Sequence, residues 1–162
     1  MDARSVSGRL ASRRLILAGL PLLVAGCGLM PKMSPDANVS TVTLSASPDA
    51  NDGFPVPVDI VVVRTDGLVG TVGALAARDW FAKRDQMRKD AADRMSVWSF
   101  EIVAGRTQAP FSISRSDRWD AKGIFVFANY IAPGDHRLRI DTLDRADVIL
   151  GPRDISAAPT AQ

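Results

Sequence analysis

The 162-residue chain has one cysteine, one histidine and one tyrosine, and each scarcity closes off a class of chemistry. Without a second histidine or a free thiol there is no ligand set for zinc, and no Asp-x-Asp-x-Asp-Gly loop offers one for calcium. A disulfide needs two thiols, so stability must come from packing. A Ser-His-Asp centre would have to be built on His136, which sits beside a turn next to Asp135, where a lone histidine is ordinarily a surface residue. No nucleophile-elbow motif supplies its serine. The glycines of Gly67-Leu68-Val69-Gly70-Thr71-Val72-Gly73 lack the Gly-x-Gly-x-x-Gly spacing and the Gly-Lys-Ser/Thr of a phosphate loop, and read as a loosely wound start of a helix. The expectation is a protein with no catalytic residues, no metal and no cofactor.

What the chain does have is an apolar run, Leu15 to Gly26, ending on its single cysteine, Cys27. The run is shorter than the ~20 residues that a bilayer-spanning helix needs. Arg4, Arg9, Arg13 and Arg14 precede it and small residues close it, which is the layout of a secretory signal peptide over residues 1–26. Val24-Ala25-Gly26-Cys27 resembles the bacterial lipobox, which implies cleavage before Cys27, acylation of its sulfur and amino group, and anchoring in lipid. Gly28 follows the cysteine where an aspartate would imply retention in the inner membrane, so the expected location is the periplasmic face of the outer membrane. Ser12-Arg13-Arg14-Leu15 also looks like a twin-arginine export signal.

The leader carries a net charge of +3 and the whole chain +2, so the remainder is −1. A basic surface for nucleic acid is therefore not expected. Residues 27–38 lack periodicity and read as a flexible tether, after which 39–151 form one domain.

Val42, Leu44 and Ala46 alternate with Thr41, Thr43 and Ser45 as in a half-buried strand. The turn formers of Pro48 to Pro55 follow, carrying one large apolar residue, Phe54. Val56 to Arg64 is nearly continuous and β-branched, a strand covered on both faces in its second half, with Pro57 near its start. Within an insertion at about 68–95, Val72, Ala76, Trp80, Met87, Ala91 and Met95 fall on one helical stripe, which predicts a helix from about Thr71 to Arg94, broken near Lys83 to Asp85. Asp79/Lys83, Asp85/Lys89 and Asp90/Arg94 form acid-first pairs on its solvated face. Strands then follow over Ser96 to Val103, Ala109 to Ser114, Gly123 to Ile131, His136 to Thr142 and Asp147 to Leu150, with a polar loop over Arg115 to Lys122 and a frayed tail over 152–162. About seven short strands interrupted once by helix indicate an all-β sandwich with a helical insertion.

The order of these segments resembles the TssJ family of type VI secretion lipoproteins. The residues that carry it are the lipobox, Ser47-Pro48-Asp49-Ala50-Asn51, Pro55 to Arg64, Ala77 to Asp85 and Gly123 to Tyr130, within a span from about Val39 to Ile140. Ala104-Gly105 stands where the family usually has proline-glycine, and Asp135 to Asp141 lacks the family's late tryptophan. The resemblance implies a transthyretin-like sandwich without enzymatic activity. It implies a structural adaptor that tethers the periplasmic C-terminal region of a TssM-like inner-membrane protein to the outer membrane. Its docking loop would be the first one, with Asp49, Ala50, Asn51, Asp52, Gly53 and Phe54, and Phe54 is the residue that interface physics selects as anchor. No nucleic acid and no small-molecule substrate is expected. Two other readings predict different structures: a ligand-binding envelope lipoprotein would gather Trp98, Trp119 and Phe125 round a pocket, and an envelope hydrolase would bring a serine or carboxylate to His136.

Overall fold

The computed structural model describes residues 34–160, so the leader and Cys27 lie outside the described residues. Eight strands form two four-stranded sheets. One sheet has the order β4-β1-β7-β8 and the other β3-β2-β5-β6, where β1 is Thr41–Ala46, β2 Val56–Val63, β3 Met95–Ile102, β4 Phe111–Ser112, β5 Gly123–Ala128, β6 Arg137–Arg139, β7 Arg145–Leu150 and β8 Ile155–Pro159. Helices α1 (Asp66–Gly73) and α2 (Ala77–Asp90) lie between β2 and β3 in sequence, and α3 (Arg115–Trp119) lies between β4 and β5. The expected sandwich with a helical insertion is therefore present, with one strand more than expected.

The period-two patterns explain the layers. Val42 and Leu44 from β1, Val58, Ile60 and Val62 from β2, and Ile124, Val126 and Ala128 from β5 fill the space between the sheets. The alternate residues Val61, Val63, Phe125 and Phe127 face the other way, into a second cluster with Val72, Ala77, Trp80, Ala91 and Met95. Sheet β3-β2-β5-β6 is thus covered on both faces, and this accounts for the unbroken apolar run of β2. One polar residue interrupts that run. Asp59 is fully buried on the helix-facing side, where its carboxylate accepts from the Trp80 indole N–H at 2.8 Å and from Arg84 at 3.0 and 3.1 Å.

Five details differ from the sequence reading. The helix expected from Thr71 to Arg94 is two helices, and the break falls at Ala74 to Ala76 instead of Lys83 to Asp85. Tertiary bonds set that break: Ala77 N donates to Asp135 O at 2.8 Å and the Arg137 guanidinium to Leu75 O at 2.7 Å. They satisfy groups that the helix ends leave unpaired. The single stripe dissolves accordingly, since Met95 reaches the cluster from β3 and Ala77 is buried in preference to Ala76. None of the three acid-first pairs closes as an ion pair among the described residues; Asp90 instead accepts from Gln86 at 2.8 Å. Exposed pairs at this spacing contribute little, so solvent competes successfully.

Arg115 to Trp119 is helix α3 and not loop, closed by Ser114 Oγ, which accepts from Asp117 N at 3.1 Å. The tail expected to fray from 152 onward supplies β8, paired to β7 from Leu150↔Ile155 to Ala146↔Pro159. Only Ile155 and Ala157 turn inward, onto the inter-sheet core, so a short and weak apolar signal combines with backbone bonds to an already ordered edge. The tether expected as far as residue 38 is docked from Asp36 onward. Asp36 N donates to Trp119 O, Ala37 N to Arg118 O and Asn38 N to Asp141 O.

Candidate functional site

At one pole of the sandwich four connections meet: β1–β2, β3–β4, β5–β6 and β7–β8. The β1–β2 connection contains a 3-10 turn, Ala50–Gly53, in which Asn51, Asp52 and Gly53 take positive φ of 50°, 56° and 82°. Asparagine, aspartate and glycine are the residues that tolerate the left-handed region, and their succession in the sequence is what permits the turn.

Asn51 organises this pole. Its backbone N–H donates to Pro152 O at 3.1 Å, its side-chain oxygen accepts from Ile131 N at 2.7 Å, and its amide donates to Pro55 O at 3.3 Å. One residue thereby joins three of the four connections. Gly105, at φ 72°, brings in the fourth by donating its N–H to Ser47 O at 3.0 Å. We expect Asn51→Ala to cost about 1–3 kcal/mol in chemical denaturation, because Ile131 N loses its acceptor and alanine is strained at positive φ. A change below about 0.5 kcal/mol would mean that water replaces the amide without loss.

Of the six residues expected in the docking loop, Asp49, Asp52, Gly53 and Phe54 are exposed, whereas Ala50 and Asn51 are buried. Ala50 belongs to the inter-sheet core. Phe54 is 59 % exposed, so its ring does not fold back over the end of the sandwich. Sequence reasoning missed two companions at the same pole. Ile131 is 57 % exposed and Val103 52 %, and with Phe54 they are three of the four large apolar side chains exposed among the described residues. Ile131 had been placed at the end of a strand. The Pro133-Gly134 turn just after it marks that strand as ending sooner.

His136 corrects the expectation of a surface histidine. It is buried at φ 42°, with its ring stacked on Tyr130 at a centroid distance of 4.7 Å. Nδ1 lies 3.2 Å from the Asp154 carboxylate and Nε2 lies 2.9 Å from Ala132 O. A Cβ at position 134 would come within 2.6 Å of the imidazole, so only glycine fits there. The Tyr130 hydroxyl donates to Gly151 O at 2.9 Å. Burial pushes that phenol well above its ordinary pKa, and the charge on Asp154 acts in the same direction, so the hydroxyl remains a donor. A carboxylate does reach His136, as a hydrolase would need, but both ring nitrogens are engaged and none is left to activate a nucleophile.

The aromatic pocket does not assemble. Trp98 packs on Phe111 at 5.2 Å and against the inter-sheet core, Phe125 lies in the helix-facing cluster, and Trp119 is on α3 beside Arg115. Trp98 and Phe125 thus occupy opposite faces of one sheet. The pocket beside His136 measures about 170 Å³, and two shallower surface hollows of about 380 and 410 Å³ lie apart from each other, one against Trp98 and the other against Phe125, so no single pocket gathers the aromatics. No group of three or more His, Cys, Asp or Glu among the described residues is placed to hold a metal.

No family model matches the chain, and no curated protein is found similar to it by sequence. Solved structures do match. The T6SS lipoprotein TssJ1 from Pseudomonas aeruginosa superposes with a TM-score of 0.56 at 16 % identity, over 75 % of this chain and 95 % of that one. Serratia marcescens Lip, a membrane-bound component of the type VI secretion system, gives a TM-score of 0.56 at 16 % identity, over 78 % and 99 %. A chain in a structure described as the T6SS protein TssM C-terminal domain (869–1107) from EAEC gives 0.58 at 12 %, over 75 % and 98 %. The two four-stranded sheets and the helices set between β2 and β3 thus form a sandwich whose structural neighbours are TssJ lipoproteins.

Proposed function

We propose that this chain is a periplasmic lipoprotein, anchored in the outer membrane through an acylated Cys27, that acts as a structural adaptor of a type VI secretion system. In this reading the loop pole with Phe54, Ile131 and Val103 binds the periplasmic C-terminal region of a TssM-like inner-membrane protein, and the protein performs no catalysis. The observation that carries it is the opposition of two poles. The chain joins the domain where β1 begins and β2 ends, through the bonds of Asp36, Ala37 and Asn38 to α3 and Asp141. The exposed apolar residues stand at the other end of the same strands. The eight residues of β2 separate the two by roughly 25 Å. A domain held at the first pole offers the second away from its membrane, as an adaptor between two membranes requires. The TssJ-like fold supports the reading, and the engagement of both nitrogens of the only histidine argues against an enzyme.

Calorimetry of the Cys27→Ser chain with a TssM-like periplasmic C-terminal fragment tests the partner, and absence of binding would overturn the adaptor role. Cys27→Ser tests the anchor independently. The acyl chains are attached through sulfur, and each buried CH₂ contributes ~0.8 kcal/mol to membrane binding. The variant is therefore expected in the soluble envelope fraction, and recovery of it in the outer membrane would refute acylation at Cys27.

A further inference from the structure

Each of the two sheets has two edges, and three of these four are blunted. β4 has two residues, β6 has three, and β8 ends on Pro159. The fourth edge is β3, eight residues long with no proline, glycine or lysine. Short strands, proline and lysine are the usual means of keeping foreign strands from an edge, and β3 has none of them. Which of its backbone groups point outward follows from the ladder. Arg64 N donates to Arg94 O at 2.9 Å, while Pro57 O and Val63 O accept from Asn129 N and Lys122 N on the β5 side. Bonded pairs alternate along an antiparallel ladder, so the even-numbered residues of β3 bond to β2 and the odd-numbered ones turn away from it. The N–H and C=O of Val97, Ser99 and Glu101 accordingly have no hydrogen-bond partner among the described residues, and Ser99 and Glu101 are exposed.

The edge meets the loop pole at one end and a cationic hollow at the other. Beyond Ile102 the chain passes into Val103, one of the exposed apolar residues of that pole. Near the start of β3 a surface hollow of about 380 Å³ is lined by Arg88, Ala92, Met95, Ser96, Val97 and Trp98. Arg88 is its one charged lining residue. It is exposed, and its guanidinium makes no ion pair or hydrogen bond among the described residues. Val97 belongs to the helix-facing cluster, so a residue set opposite it on an added strand shares the α2 side with Arg88. A second copy paired through this edge across a two-fold axis would run antiparallel and turn its Phe54 pole the opposite way, which does not suit an adaptor. We propose that the β3 edge accepts, as an added strand, an extended segment of the partner that docks on the Phe54 pole, with an acidic side chain of that segment on Arg88. The inference rests on the adaptor reading and adds main-chain pairing to the apolar contacts of the pole. In such an arrangement the main-chain bonds supply affinity and the side-chain contact sets the register.

The test is amide hydrogen exchange on the Cys27→Ser chain, free and saturated with a TssM-like periplasmic C-terminal fragment. The Val97, Ser99 and Glu101 amides are expected to exchange quickly in the free chain and about tenfold or more slowly in the complex. Calorimetry adds two variants. Ser99→Pro removes an outward N–H without removing a bond to β2, and is expected to raise Kd about tenfold. Arg88→Glu is expected to raise it about fivefold. Fragment binding that leaves the three amides unprotected, or that is as tight in folded Ser99→Pro, overturns the β3 contact and leaves the adaptor reading standing. If Ser99→Pro does not fold, exchange in the Cys27→Ser chain decides alone. An unchanged Kd in Arg88→Glu overturns the acidic contact. Protection of the same amides in the free chain that grows with its concentration assigns the edge to a second copy and overturns the inference. Absence of fragment binding overturns the adaptor reading, and this inference with it.

Discussion

Trp80→Ala is expected to destabilise the domain by about 4 kcal/mol or more in chemical denaturation. Truncating a buried tryptophan or phenylalanine costs ~3–5 kcal/mol through lost transfer and the cavity left behind. Trp80 is fully buried and stacks on Phe127 at a centroid distance of 5.0 Å and an interplanar angle of 13°. A second loss overlaps with the first: the indole N–H bonds the Asp59 carboxylate at 2.8 Å, and Asp59 has no exposure to solvent. Removing it leaves a buried charge with Arg84 as its remaining side-chain donor, and a hydrogen bond to a charged group contributes ~1.5–3 kcal/mol. The two losses are not additive, because water entering the cavity will solvate the carboxylate. Domains of this size are stable by only ~5–15 kcal/mol, so the variant will sit near unfolding. Trp80→Phe separates the contributions, since it keeps most of the stack and loses the N–H. A cost for Trp80→Ala below ~1 kcal/mol would show that α2 is not packed on the sheet as described.

The two halves of this pair were unequally legible in the sequence. Trp80 was legible as core, because it recurs with Val72 and Met87 at helical spacing. Asp59 was not, since nothing in Val-Asp-Ile announces which indole will cover it, and its partners lie 21 and 25 residues away. The same divide runs through the rest of the fold. Alternation gave the inward face of β1 residue by residue, with Val42, Leu44 and Ala46 all in the inter-sheet core. The helix break at Ala74 to Ala76 and strand β8 depend on bonds to Asp135, Arg137 and β7, groups remote in sequence or already ordered. Propensity cannot register such partners.

The candidate site shows a similar pattern. The turn chemistry of Asp49 to Gly53 made the loop recognisable and Phe54 its one large apolar group. Loop formation and residue exposure are different questions, however. Ala50 and Asn51 share that turn composition yet face inward, one into the inter-sheet core and the other onto Ile131 and Pro55. His136 was misplaced for a related reason. A residue beside Pro-Gly is ordinarily exposed, but here Gly134 removes the side chain that would otherwise collide with the imidazole, and Asp154 closes over it from another connection.

Phe54→Ala is expected to weaken binding to a TssM-like periplasmic fragment by ~2 kcal/mol or more, about a 30-fold rise in Kd, while leaving folding nearly unchanged. The ring is mostly exposed, so its loss removes little core contact. Its presentation is fixed in advance by the left-handed Asn51–Asp52–Gly53 run, by Phe54 N donating to Asn51 O at 3.1 Å, and by Pro55 at the exit. A preordered side chain loses less entropy on docking, so more of its burial appears as affinity. Because Asn51 also bonds Ile131 N, the partner meets two apolar groups held on one scaffold, and Ile131→Ala is expected to weaken the same complex to a lesser degree. The double variant should lose less than the sum of the single losses if both residues enter one desolvated patch, and should be additive if they contact separate features. Calorimetry on the Cys27→Ser background, with unfolding curves recorded beside it, decides the matter. Unchanged affinity in folded Phe54→Ala and Ile131→Ala would remove this pole from the interface. A loss of folding in Phe54→Ala would contradict the exposure of the ring, and Phe54→Ser would then show whether the position tolerates a polar residue, as a solvent-facing site does.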